Sequence, residues 1–218
     1  LLSATTEGTV TASITTTETV SELKTLTGTG NAYTIVISSA DATAAAEDLS
    51  TIDGKTTTTI DATEVTLITG TYDTVTTLYD SAGVTNLGNE AISISDDLTV
   101  AKANVIDGLT EGVITATIAS SRVRDLVGGT QLTNAHGNNA YTIVIPVDDA
   151  AVSASNLNAI NELTTIPVDL TNVTSITSSS LDALETLSTA IVNDEFSNDD
   201  GLTAIAVSDT TIDATTLA

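Results

Sequence analysis

Along the chain, eight short stretches are built from alternating or continuous β-formers, and each predicts a strand, because successive side chains of an extended backbone point to opposite faces. In the first half they are "TVTASI" (9–14), "AYTIVIS" (32–38), "TTTIDA" (57–62) and "AISIS" (91–95). In the second half they are "VITATI" (113–118), "AYTIVIP" (140–146), "TIPVDL" (165–170) and "AIAVS" (204–208). The segments between them carry apolar residues at every third position. Val20, Leu23 and Leu26 make one such stripe, Leu49 and Ile52 another, then Tyr72, Val75 and Leu78, then Ala103, Ile106 and Leu109. The series resumes with Val123 and Leu126, then Leu157, Ile160 and Leu163, then Leu181, Leu184 and Leu187. On a helix, three-residue spacing drifts by only about 60° per step, so a helix of two or three turns keeps one narrow face toward a core.

The pattern is duplicated. "NAYTIVI" stands at Asn31–Ile37 and again, unchanged, at Asn139–Ile145. "TEGTVTASITTTETVSEL" from Thr6 matches "TEGVITATIASSRVRDL" from Thr110; "TTIDATEVTLIT" from Thr58 matches "IPVDLTNVTSIT" from Ile166; "EAISISDD" from Glu90 matches "TAIAVSDT" from Thr203. Two repeat units follow, 1–109 and 110–218, each expected to hold four strand–helix coils. The fold expected from this is an α/β repeat: a right-handed β/α solenoid of the leucine-rich-repeat kind, one continuous stack of about eight coils. A parallel sheet would line one face and short helices the other. A lone coil of about 27 residues would not be stable. Five or six buried aliphatic side chains contribute roughly 1.5–3 kcal/mol each, against roughly 1–2 kcal/mol per ordered residue. Stacked neighbours must supply the remainder.

The ends extend this expectation. "SDTTIDATTLA" at the C-terminus, followed by "LLSATTEGTV" from the N-terminus, matches the internal join "SDDLTVAKANVIDGLTEGVI". Both termini are thus expected inside one structural element, in a longer tandem array or in copies stacked end to end. The absence of an initiating Met and of a signal peptide points the same way, to an excerpt or a processed product.

Composition adds to this picture. There is no Cys, Met or Trp, one Phe and four Tyr, so the core must be built from Val, Ile, Leu and Ala. Thr fills about a fifth of the chain, well above ordinary usage, which favours strands. With 29 acidic against five basic side chains, the net charge is −24. That balance argues against nucleic acid and anionic membrane surfaces as partners, and it favours cations. No apolar run approaches the roughly 20 residues needed to cross a bilayer, so membrane insertion is not expected.

"TTIDATTL", "EGVITATIAS", "NNAYTIVI" and "VDLTNVTSITSSSLDALETL" resemble the tandem repeats of very large bacterial surface proteins, particularly cyanobacterial ones, over essentially the whole chain. The resemblance implies an extracellular or cell-surface location and a structural or adhesive role. It brings no catalytic residues.

Candidate chemistry is sparse. His136, the only histidine, lies in "GGTQLTNAHGNNA", an insertion without a counterpart in the first unit, and is expected to be exposed. "GTG" at 28–30 and "GGT" at 128–130 lack phosphate-loop spacing and are expected to be turns. Asp41, Asp96, Asp148 and Asp209 each follow a strand and precede a helical stripe, where N-capping of that helix accounts for them. Asp61 and Asp169 occupy matched positions. The alternative for such acidic rows is Ca²⁺ bridging between coils or neighbouring molecules, with Asp194, Glu195, Asp199 and Asp200 in "NDEFSNDDG" as the densest candidate set.

The expected function is structural: a segment of an extracellular filament, sheath or surface coat, self-associating with identical or tandem repeats, without catalytic residues or a required cofactor. The alternative is an adhesin or carbohydrate-binding stalk stabilised by Ca²⁺. An enzyme of β-helix type would need convergent carboxylates with a basic partner, and five basic residues argue against it.

Overall fold

A computed structural model describes residues 8–119, 121–129 and 131–209. The fold is α/β, with parallel strand pairing and seven α-helices among these residues. Two compact units are present, Leu1–Asp96 with Val105–Thr115, and Asp97–Asn104 with Ala116–Ala218. The join expected between the chain ends involves residues 1–7 and 210–218, which lie outside the described residues.

The first unit runs β1 (Thr11–Ser13), α1 (Val20–Leu23), β2 (Ala32–Val36), β3 (Thr43–Ala45), α2 (Ala46–Asp53), β4 (Ile60–Asp61), β5 (Leu67–Gly70), α3 (Tyr72–Asp80), β6 (Val84–Thr85) and β7 (Ala91–Ile94). Its strands form two sheets. One has the order β1-β2-β4-β6; in the other β3 pairs with β5 and β5 with β7. Partners such as Thr43↔Leu67 and Leu67↔Ala91 lie 24 residues apart. A parallel neighbour is reached only by such a crossover. Helix α4 (Val100–Asp107) and strand β8 (Ile114–Thr117) follow, and the start of β8 pairs with β7 through Ile92↔Ile114 and Ser93↔Thr115.

The second unit continues with α5 (Val123–Val127), β9 (Ala140–Thr142), β10 (Ala151–Ser153), α6 (Ala154–Asn161), β11 (Val168–Asp169), β12 (Ser175–Ser179), α7 (Leu181–Val192), β13 (Phe196–Ser197) and β14 (Ala204–Val207). Here β10, β12 and β14 make one parallel sheet and β11 pairs with β13. Crossovers are longer toward the end, with 29 residues between Ile176 and its partner Ile205.

Each of the seven apolar stripes seen in the sequence begins on one of the seven helices among the described residues and buries at least one member, while Leu26, Leu109 and Leu163 lie just past the ends of their helices. Leu49, Ile52, Val75, Leu78, Ile106, Leu157 and Ile160 are completely buried. The expectation of a single strand per coil is corrected. A passage such as Ala32–Asp53 holds two strands, one in each sheet, separated by a 3-10 turn at Ser39–Asp41. The stretches 91–95 and 204–208 therefore belong with β5 and β12, not with the strands at 32–38 and 140–146. The overlooked strands hide for physical reasons. "TAA" and "AVS" are three residues long, too short for an alternation to show, while Leu67–Gly70 is followed almost at once by a helix.

The recurrence of "NAYTIVI" has a direct cause. Asn31, Tyr33, Ile35 and Ile37 all point inward, as do Asn139, Tyr141, Ile143 and Ile145, none of them more than 6% exposed. Each copy thus buries an Asn amide and a Tyr hydroxyl beside aliphatic side chains. Such groups must find hydrogen-bond partners there.

Candidate functional site

Within each unit the polar residues that recur at matched positions connect one passage of chain to the next, through side chain or backbone. The first kind of connection is the Asn–Tyr pair. Asn31 donates from Nδ2 to the Tyr33 hydroxyl at 3.0 Å, and Asn139 does the same to Tyr141 at 3.1 Å. Asn31 Oδ1 accepts from the Val10 N–H, 21 residues earlier. The backbone oxygens of Asn31 and Asn139 accept from the N–H groups of Thr57 and Thr165, both at 2.8 Å. Thr56 and Thr164 donate from Oγ1 to the carbonyls of Tyr33 and Tyr141, again at 2.8 Å.

The second kind corrects the expectation for the acidic residues. Asp41, Asp96 and Asp209 do cap helices, but each serves the helix one passage back rather than the one that follows. Their carboxylates accept from the first N–H of α1 (Val20, 2.9 Å), α3 (Tyr72, 2.8 Å) and α7 (Leu181, 2.7 Å). For α5 the partner of the Val123 N–H is Asp149 at 2.7 Å, and not Asp148, whose carboxylate instead meets the exposed Arg122. A carboxylate here meets both an unpaired N–H and the positive end of the helix dipole. For α6 the role falls to Ser179, whose hydroxyl accepts from the Ala154 N–H at 2.9 Å. Gly70 holds the corresponding place in the first unit. A Cβ there would lie 2.6 Å from Thr74 Oγ1, which is already engaged in capping α3.

The third kind is a clasp. Asp61 Oδ1 accepts from the Thr63 N–H and hydroxyl and from Asn86 Nδ2, 25 residues ahead. Asp169 Oδ1 accepts from the Thr171 N–H and hydroxyl and from Asn198 Nδ2. Both asparagines hold a left-handed backbone, φ 65° and 57°, a conformation that Asn tolerates better than most residues. The Thr63 hydroxyl, then the Asn86 amide and the Thr63 N–H, lower the Asp61 pKa below its ordinary 3.8. At Asp169 burial pushes upward, but the hydrogen bonds from Thr171 and Asn198 together outweigh it, and the pKa is again lowered.

These connections include residues that sequence reasoning did not single out: Asn86, Asn198 and Ser179. A signal was present, since "VTN" (84–86) and "FSN" (196–198) each pair a short hydroxyl residue with Asn at the same place relative to a preceding strand.

The proposed metal ligands are not gathered into one site. Asp194 takes a left-handed turn (φ 59°) after α7. Glu195 accepts from Asn161 Nδ2 at 2.5 Å and from Asn193 Nδ2 at 3.5 Å. Asp199 and Asp200 lie beyond β13 in a 3-10 turn. Among the described residues, no three Asp, Glu or His side chains form a group that could hold a metal ion. His136 is exposed, on a turn closed by the Gly137 N–H donating to the Asn134 carbonyl. The insertion around it is anchored by Leu132, completely buried, and by Asn104 Oδ1, which accepts from the Thr133 N–H. A shallow groove of about 500 Å³ beside α6 and α7 is lined by Glu162, Asp182, Glu185, Glu195 and neutral polar residues, with no basic side chain to oppose them. No helix among the described residues is long and apolar enough to cross a membrane. No protein-family model, curated protein or solved structure matches this chain.

Proposed function

We propose that this chain is a structural repeat segment of an extracellular filament, sheath or cell-surface coat, in which each unit is a right-handed β/α solenoid and copies associate end to end. One observation carries this reading. The polar residues that recur between the two units all bind a neighbouring passage of chain, Asn31, Asp61, Asp169, Asp96 and Asp209 through their side chains and Asn139 through its backbone carbonyl. Repetition here preserves the means of stacking one passage on another, as expected of a quasi-one-dimensional protein.

The acidic excess fits a surface facing water and cations, and self-repulsion would make assembly depend on ionic strength. The resemblance to bacterial surface repeats supports the extracellular location. Electron microscopy of concentrated protein at physiological salt tests the reading. Filaments with an axial repeat of roughly 38 Å per chain, eight passages spaced about 4.8 Å apart, are the expected result. Dispersed single molecules at the highest attainable concentration, agreeing with a monomer mass in sedimentation, would overturn it.

A further inference from the structure

The segments "EAISISDD" and "TAIAVSDT" put Ile92 and Ile94 of β7 in the same places as Ile205 and Val207 of β14. Their surroundings differ sharply. Ile92 and Ile94 are 0% and 7% exposed, whereas Ile205 and Val207 are 64% and 41% exposed. The difference is not that β14 has come loose. Its flanks are fixed as those of β7 are: the Ser208 N–H donates to the Ser179 carbonyl at 2.8 Å, and Asp209 caps α7 as Asp96 caps α3.

The element that buries β7 on its outer side is β8. Ile92 pairs with Ile114 and Ser93 with Thr115, and the Ile92 N–H donates to the Val113 carbonyl at 2.9 Å. Among the described residues β14 has only β12 beside it. The repeat that matches β8 is β1, with Val10 for Ile114, Thr11 for Thr115, Ala12 for Ala116 and Ile14 for Ile118. The three apolar members of the β8 set, Ile114, Ala116 and Ile118, are buried; Val10, Ala12 and Ile14 are only half-buried. Among the described residues each edge therefore lacks a neighbour, and the strand that would match has the sequence pattern of the other.

We propose that β14 of one molecule is completed by β1 of a second copy, in parallel, with Ile205 opposite Val10 and Ala206 opposite Thr11. This rests on the self-associating reading above and specifies its contact. Neither strand has the features that block edge pairing. Residues 9–14 and 204–207 contain no charged side chain and no Pro, in a chain otherwise rich in acids. The contact buries Ile205 and Val207 as Ile92 and Ile94 are buried within the chain. Because the docking edges are uncharged while the molecules as a whole repel one another, association strengthens as salt is raised.

The chain contains no cysteine, so introduced thiols report only on each other. Parallel neighbours about 4.8 Å apart lie within the Cα range that a disulfide spans. Under mild oxidation, full-length V10C/I205C is expected to form a reducible ladder of dimer, trimer and higher species. T11C/A206C, a second pair in register at positions whose side chains need no core packing, is expected to do the same. A12C/I205C, two residues out of register, is expected to give several-fold less, and a mixture of V10C with I205C single variants to stop at the dimer. If light scattering shows oligomers but neither in-register pair links, the strand pairing is wrong and the self-associating reading stands. Cross-linking confined to the monomer would show that β1 of the same chain is the partner, and would overturn the proposal. If no oligomer forms at any concentration or salt, both readings fall.

Discussion

Strands β7 and β14 carry one hydrophobic pattern in two environments. In β7 the pattern is core; in β14 the matching side chains face water. Nothing in the four residues of either strand accounts for the difference, because "AISI" and "AIAV" are equally suited to burial. Burial comes from the next passage of chain. In proteins built of stacked repeats, an element's stability is shared with its neighbours in the same way.

The two units differ in a second way that is just as instructive. One connection is kept at the same helix end while its residues change. Asp53 ends α2 and accepts the Ser81 hydroxyl at 2.7 Å, and only glycine at position 83 lets that carboxylate come so close, since a Cβ there would lie 1.7 Å from Asp53 Oδ1. At the matching end of α6 stands Asn161, which donates to Glu195 instead. Donor and acceptor have exchanged sides, and the passage-to-passage contact survives.

The largest effect should come from breaking the β7–β14 contrast directly. Ile92→Ala is expected to destabilise the dilute protein by about 2–5 kcal/mol, the usual cost of emptying a buried aliphatic site. Ile205→Ala is expected to cost less than about 0.5 kcal/mol under the same conditions, because its side chain is already in water. Thermal or denaturant melts below the concentration of association measure both. Equal losses would mean that β14 is covered in the isolated molecule, and the contrast would be lost.

Next in size are the buried amides. Asn31→Ala and Asn139→Ala should each cost about 1–3 kcal/mol, since each removes a hydrogen-bond partner from a buried tyrosine hydroxyl. Similar losses in the two units would sharpen the case that "NAYT" is retained for this contact. A negligible loss in either would show that water replaces the amide.

Smallest are the two clasps. Asp61 and Asp169 both have a folded-state pKa below the unfolded 3.8, so each contributes stability above that value and loses it as pH falls through the folded pKa. Both are largely solvated, and Asp61→Ala or Asp169→Ala is expected to lower Tm by only about 1–3 °C at pH 7. The gap from the parent protein should close as pH falls through the lowered folded-state pKa of each carboxylate, where the parent carboxylates become protonated too. Melts across pH 2–7, on the order of one per half pH unit, would reveal it. A gap that persists at low pH would assign the effect to the turn geometry and not to the charge.

Much of this architecture was legible in the sequence, and the residues show why. Three-residue stripes such as Leu157 and Ile160 identified every helix because a helix buries only one narrow face. Alternation in "NAYTIVI" marked a strand, and the structure shows that Asn and Tyr share its buried face with the isoleucines. One strand of a two-strand passage was hidden because two- and three-residue pieces like Val84–Thr85 and Thr43–Ala45 are strands only by virtue of their partners. The acidic rows were visible, but their direction was not. A capping carboxylate beside a helix start in sequence cannot be told from one that reaches back 21 to 28 residues, as Asp41 and Asp209 do. The acids of "NDEFSNDDG" looked like a cluster because they are close in sequence, yet no three of them come together in a group that could hold a metal ion, and Glu195 meets Asn161 instead.

Hydrogen exchange followed by mass spectrometry, compared for the segments 91–94 and 204–207 over a range of protein concentrations, tests the central claim most directly. An edge strand in a parallel sheet leaves alternate N–H groups without a neighbour, so 204–207 should exchange rapidly in dilute solution while 91–94 stays protected. As the protein associates, protection at 204–207 should rise toward that of 91–94. Full protection of 204–207 in the dilute monomer, or rapid exchange there in the assembled state, would contradict the account.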